Sequence, residues 1–208
     1  FGHSGAYDFE DDKMYLTQDQ VKIVDVGDAD IVHTEMEKSH ENTYRAVSKI
    51  LESGAMPVSL GGDHSVHAPI IRAFADKGPI HIIHFDAHTD LLYERLGIDL
   101  CFGSWCTHIL DDLHAPQHLI QIGIRSSGKP KEHWETTFGV KQHWATEVLE
   151  LGVETVIERI KDQLADENID ELYVSFDIDA LDASVASATG TPEEDGLETE
   201  HAMKILRE

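Results

Sequence analysis

The chain has 208 residues, with 40 Asp and Glu against 16 Lys and Arg, for a formal net charge of -24. That balance argues against nucleic-acid or anionic-membrane binding, which need basic patches, and no apolar run approaches the length of a membrane span. Cys101 and Cys106 are too few for a disulfide framework and read as thiols of a reducing compartment, so with no signal-peptide pattern the expected location is cytoplasmic. Most of the acidic excess reads as a solvated surface, and it also suits a small cationic partner. The chain opens on Phe1 and stops at Glu208 inside an apparent helix. The expectation is therefore one domain over residues 1–208, incomplete at both ends.

Residues 1–20, with Gly2, Gly5 and the cluster Glu10-Asp11-Asp12, read as a loop. Val21–Val26 is a short apolar strand ended by Gly27. Glu35–Ser53 has helical spacing, with Gly54 as its stop. Ala55–Leu60 is the next predicted strand, running into Gly61-Gly62-Asp63-His64-Ser65. Ser65 is placed to cap a helix over 66–75 with Pro69 in its first turn. Ile80–Phe85 is an apolar run that leads directly into Asp86, His88 and Asp90. A helix is expected near Trp105–Leu113, a strand at His118–Ile124, a polar loop at Arg125–Glu132 and a short strand at Val140–Ala145. Residues 152–165 form an amphipathic helix with Val153, Val156, Ile157, Ile160 and Leu164 on one face. Leu172–Phe176 is a strand ending in Asp177-Ile178-Asp179, and a last helix starts near Thr199. Strands alternating with helices predict a mainly parallel sheet covered on both faces.

Three predicted strands end in residues that bind metals. In an open α/β sheet the functional crevice lies beyond the carboxyl ends of the strands, so groups far apart in sequence converge there. Asp86, His88 and Asp90 alternate, which puts them on one face of an extended chain. A core strand ending in carboxylates needs compensation, since a buried charge is costly unless paired or bound to metal. His64, Asp86, His88, Asp90, Asp177 and Asp179 make two imidazoles and four carboxylates. That is too many for one zinc and suits two dications, Mn(II) first, with Ni(II), Co(II) and Zn(II) as alternatives. Water bridging two metals is acidified and can act as a nucleophile near neutral pH, so hydrolysis is the expected chemistry. His81 and His84, inside the strand, read as packed core or interface residues. His33, His40, His114, His133 and His143 show no partner pattern and read as surface residues.

At GGDHS (61–65), FDAHTD (85–90) and SFDIDALDAS (175–184) the chain resembles the ureohydrolase family of arginases and agmatinases. TGTPE (189–193) and QIGIR (121–125) look like the agmatinase branch. The resemblance implies a three-layer α/β/α sandwich of the arginase/deacetylase kind. It implies two manganese ions per subunit, hydrolysis of a guanidino carbon–nitrogen bond to urea and an amine, and a homotrimer or homohexamer. It implies that His64, Asp86, Asp90 and Asp177 hold one ion, and Asp86, His88, Asp177 and Asp179 the other. Asp90 would also act in catalysis by orienting the attacking hydroxide. The implied substrate is a small cationic guanidino compound such as agmatine. Guanidinobutyrate, guanidinopropionate and guanidine are alternatives, as is a metal-binding subunit without its own activity.

The sequence departs from the family pattern in three places. Phe102-Gly103 stands where relatives place a proton-shuttling His before Gly, and His108 is the nearest histidine on the C-terminal side. Ala183-Ser184 stands where many relatives have Pro after the Asp. The family's guanidinium-binding Glu falls beyond residue 208.

Overall fold

The computed structural model describes residues 5–9, 11–17, 21–165, 169 and 171–208. Its centre is a strand, β3 (Ile80–Phe85), buried at every position. It pairs in parallel with β4 (Leu119–Ile124) on one side and β6 (Glu171–Phe176) on the other, and β5 (Lys141–Trp144) extends the sheet to the order β5-β4-β3-β6. Parallel neighbours require crossovers. These are α3 (Trp105–Ile109), α4 (Lys131–Phe138), and the pair α5 (Ala145–Leu151) and α6 (Val153–Leu164).

Alternation along the strands divides the core into two layers. Ile83, Phe85, Ile120 and Ile122 pack against Val148 of α5, Val156, Ile157 and Ile160 of α6, and Ala202 and Ile205 of α7 (Thr199–Arg207). On the opposite face Ile80, Ile82 and Leu119 meet Ile71 of α2 (His67–Ala75), Trp105 and Ile109 of α3, and Trp134 of α4. Each buried Val, Leu, Ile or Phe among these contributes roughly 1.5–3 kcal/mol. The three-layer α/β/α architecture expected from the alternating elements is therefore present. A further helix, α1 (Met36–Glu52), lies on α2 through Val47, Ile70 and Ala73.

Several expected elements differ. Val21–Val26 and Ala55–Leu60 are not strands. Met56, Val58 and Leu60 are 83, 76 and 89% exposed. A strand needs a ladder partner for its backbone groups. The Ala55–Leu60 segment instead faces β6 across a cavity that both line. Within the expected N-terminal loop, β1 (Ala6–Asp8) pairs antiparallel with β2 (Lys13–Tyr15), while Gly2 and Glu10 lie outside the described residues. Helices α4 and α5 had no clear periodic signal, since the first begins inside a polar stretch and both are short. Asp63, not Ser65, caps the turn before α2, accepting from the Ser65 backbone N–H at 2.9 Å.

The sheet's register aligns the site. Phe85 lies opposite Phe176, and the Asp177 N–H donates to the Phe85 carbonyl at 2.9 Å, so the residues that follow both strands emerge side by side. On the other flank the Asp86 N–H donates to the Ile122 carbonyl at 3.1 Å. Gly123 permits that approach: its φ is +97°, and a Cβ there would sit 3.1 Å from the Asp86 carbonyl oxygen.

Candidate metal centre

Three carboxylates from two chain segments converge on the Nδ1 atom of His64. It lies 2.9 Å from Asp86 Oδ2, 3.3 Å from Asp90 Oδ2 and 3.2 Å from Asp177 Oδ2. A second group forms alongside, where His88 Nδ1 is 3.2 Å from both Asp86 Oδ1 and Asp179 Oδ2. The structure thus brings all six sequence-predicted residues together, and Asp86 offers one oxygen to each group.

The fit to metal can be judged from the atoms themselves. Buried His64 Nδ1 makes no well-formed hydrogen bond, although three carboxylate oxygens surround it. Ligand atoms around an ion at bond lengths of roughly 2.1–2.2 Å are spaced roughly 3.0–3.5 Å apart, and the observed distances match that spacing. Burial opposes charge on His64, but Asp177, Asp86 and Asp90 push its imidazole up to about 12. Burial likewise opposes charge on His88, and Asp179 and Asp86 raise it to about 10. Asp90, fully enclosed and near the Asp86 charge, is raised to about 6. An oxygen-rich pocket that pulls protons onto its histidines has the donor chemistry for divalent cations.

The surrounding residues hold these groups in place. His64 Nε2 meets buried Ser175 Oγ at 2.7 Å, which directs the other ring nitrogen at the carboxylates. Asp90 has a φ of +50°, unusual for a residue other than glycine. Its Oδ2 accepts the indole N–H of Trp105 at 2.7 Å, and its carbonyl accepts the Cys106 N–H at 3.2 Å. Asp179 accepts from the Ala87 N–H at 3.1 Å and from the Thr191 hydroxyl at 2.8 Å. Glu193 backs His88, at 3.4 Å from its Nε2, and accepts the Ser126 hydroxyl at 2.7 Å. Arg125 spends its guanidinium on backbone carbonyls, with bonds of 2.8 Å to both Asp179 and Glu193, and so ties the two loops together.

His84 also contacts the cluster, with Nε2 2.8 Å from Asp86 Oδ2. The Gln121 amide lies 2.9 Å from its Nδ1. Because that amide nitrogen donates, Nδ1 accepts, the ring hydrogen sits on Nε2, and His84 orients Asp86 rather than offering a lone pair to an ion. Gln121 is held in turn by Gln142 at 2.7 Å, and Gln142 by the Trp144 indole at 2.9 Å. This ladder crosses β3, β4 and β5 by register, which is why a single strand read alone gives His84 as a packed core or interface residue. His143 is buried on β5 against Gln163 rather than at the surface.

The cluster opens into a cavity of ≈ 1410 Å³ whose lining includes Phe102 and Gly103. His108 is not among the lining residues, and its Nε2 faces the Asp99 carbonyl at 3.2 Å.

The family model described as "Arginase family" matches residues 3–208. Over 198 residues the chain is 35% identical to an "Agmatinase, mitochondrial" of Gallus gallus, covering 91% of this chain and 56% of that protein. It is 33% identical over 189 residues to a "Guanidino acid hydrolase, mitochondrial" of Homo sapiens, covering 89% and 53%. The chain thus spans little more than half the length of these relatives. The crystal structure of formimidoylglutamase from Bacillus subtilis is similar with a TM-score of 0.84 at 29% identity, over 99% of this chain and 64% of that one.

Proposed function

The chain belongs to the arginase family, and on that premise we propose that it forms the metal-holding part of a ureohydrolase, cleaving a guanidino carbon–nitrogen bond to urea and an amine. The observation that carries this reading is the orphaned His64 Nδ1 facing three carboxylates, next to a second group that shares Asp86. His64, Asp86, Asp90 and Asp177 would hold one divalent ion, and Asp86, His88, Asp177 and Asp179 the other, with manganese first and nickel or cobalt as alternatives. Four carboxylates roughly offset two dications. When bound, such a pair supplies an activated water and Lewis acidity.

The protein residues do the positioning. Asp90, fixed through Trp105, keeps an oxygen aimed at the centre of the cluster, where it orients the attacking water. Asp86 is locked by His84 and by the His88 N–H at 2.7 Å. Phe102 carries no proton and His108 is turned to a backbone carbonyl, so among the described residues neither serves the departing amine and its proton comes from solvent. One domain over residues 1–208, a homotrimer or homohexamer and a cytoplasmic setting complete the reading. The family pattern supports the first two, and two free cysteines suit a reducing compartment such as the cytoplasm. No helix among the described residues is long and apolar enough to cross a membrane.

The test is urea release from a panel of agmatine, guanidinobutyrate, guanidinopropionate and guanidine after loading with manganese or nickel. Urea from at least one is expected, and its absence from all overturns the reading. Phe102 favours a second reading, a metal-holding subunit without its own turnover. It predicts full metal content, no urea alone, and urea when a paralogue is added.

A further inference from the structure

The loops leaving β3 and β4 form the mouth of the cavity above the ligand cluster. Leu92, Arg95, Phe102 and Gly103 come from the first loop, Ser126 to Lys129 from the second. The Arg95 guanidinium lies over the Phe102 ring, its carbon 4.7 Å from the ring centre. Its backbone is fixed as well. Arg95 and Ile98 exchange hydrogen bonds of 2.9 and 3.0 Å, closing a two-residue turn in which Leu96 and Gly97 have φ of +54° and +77°. Both values are those a type I′ turn requires. A leucine in that conformation is costly, and Leu96 is 94% exposed, so burial of its side chain does not offset the cost. What the turn does is hold Arg95 on Phe102 at the mouth.

The charges around this point are informative. Some cations of this acidic chain pair with a carboxylate, Arg45, Arg72, Lys131 and Lys161 among them, and others, such as Lys49 and Lys141, do not within the described residues. Among the described residues, neither Arg95 nor Lys129 has a carboxylate within ion-pair distance. Of the acids that line the cavity outside the cluster, Asp63 caps the turn before α2, and Glu171 begins β6, at the end of the sheet away from the cluster. Arg95 and Lys129 are thus the cations that line the cavity, with its remaining lining carboxylates in the cluster below; Glu94 and Asp99 flank the turn but do not line the cavity. A guanidinium directed to the floor leaves its tail at the mouth. An ammonium tail is repelled there, whereas a carboxylate gains a charge-assisted, bidentate partner.

We propose that Arg95, seated on Phe102, is a specificity-determining residue that recognises a carboxylate at the far end of the substrate. The substrate class is then an ω-guanidino acid rather than a guanidino amine. This inference rests on the ureohydrolase reading and replaces the cationic substrate suggested by overall charge. It also gives Phe102 a role: where the family pattern places histidine, this chain has an aromatic platform for a cation.

The experiment compares kcat/KM for 4-guanidinobutyrate and agmatine in the metal-loaded full-length protein and in Arg95→Met, Arg95→Lys and Phe102→Leu. The wild type is expected to prefer the acid. Arg95→Met should raise KM for the acid roughly 10- to 100-fold with little change in kcat, while turnover of agmatine improves. Arg95→Lys should recover part of the loss, and Phe102→Leu should cost a few-fold, in the range of an exposed cation–π contact. Equal effects of Arg95→Met on both substrates, or urea from agmatine alone, overturn the tail assignment and leave the hydrolase reading standing. No urea from either compound or from the wider panel overturns both.

Discussion

β3 and β6 are parallel neighbours of equal length, and each runs into carboxylates, yet their surroundings differ. Every residue of β3 is buried, whereas Leu172 and Val174 of β6 are 49 and 42% exposed. The difference follows from sheet order: β3 has a strand on each side, and β6 is at the edge, next to the cavity that Ala55–Leu60 also lines. It carries through to the site. Asp86 after β3 is enclosed, with both oxygens hydrogen-bonded by neighbours that are themselves fixed. Asp177 after β6 is half-buried and takes one backbone bond, from the Asp179 N–H at 3.0 Å. Asp86 is pre-organised by the core, and Asp177 is attached at its margin.

Substitutions can break this comparison, beginning with the ligands. Asp86→Asn removes the carboxylate shared by both groups and should abolish metal binding and lower turnover on the order of a thousandfold or more, equivalent to several kcal/mol of lost stabilisation. Asp177→Asn should also lose metal and activity together, but with a smaller loss of fold stability, because its surroundings are more open. Metal content by mass spectrometry, read beside denaturant titrations, checks both variants. Normal metal content and turnover in Asp177→Asn would sink the assignment.

The next effect is in the core. Ile82→Ala on β3 should cost about 2–5 kcal/mol, while Val174→Ala on the open edge should cost about 0.5 kcal/mol, as at exposed positions generally. Equal shifts in denaturation midpoint would show that the edge is covered in solution. The smallest effect lies behind Asp86. His84→Leu should weaken metal binding about 10- to 100-fold, and His84→Gln, which can still donate near Nε2, should recover much of it. A Gln variant as weak as the Leu variant would reduce His84 to packing.

The legible part of this molecule was what one strand encodes by itself. The apolar run 80–85 followed by alternating Asp86, His88 and Asp90 shows both the burial and the shared face, and the same logic finds Asp177 and Asp179. Contacts made by register were not legible. His84, Gln121 and Gln142 meet only because β3, β4 and β5 align, and Trp105 reaches Asp90 from a helix 15 residues on. Arg125 closes the QIGIR motif, but its carbonyl partners span a loop with no periodic signal. The strands that do not form have a physical cause too. Val21–Val26 and Ala55–Leu60 carry strand-like composition, but composition does not supply a ladder partner.

The most direct measurement is anomalous diffraction from crystals of the manganese-loaded protein. Two peaks about 3.5–4 Å apart are expected, one beside His64 and Asp90, the other beside His88 and Asp179, with Asp86 between them. A single peak, or two peaks that Asp86 does not join, would contradict a two-metal centre built on the ends of β3 and β6.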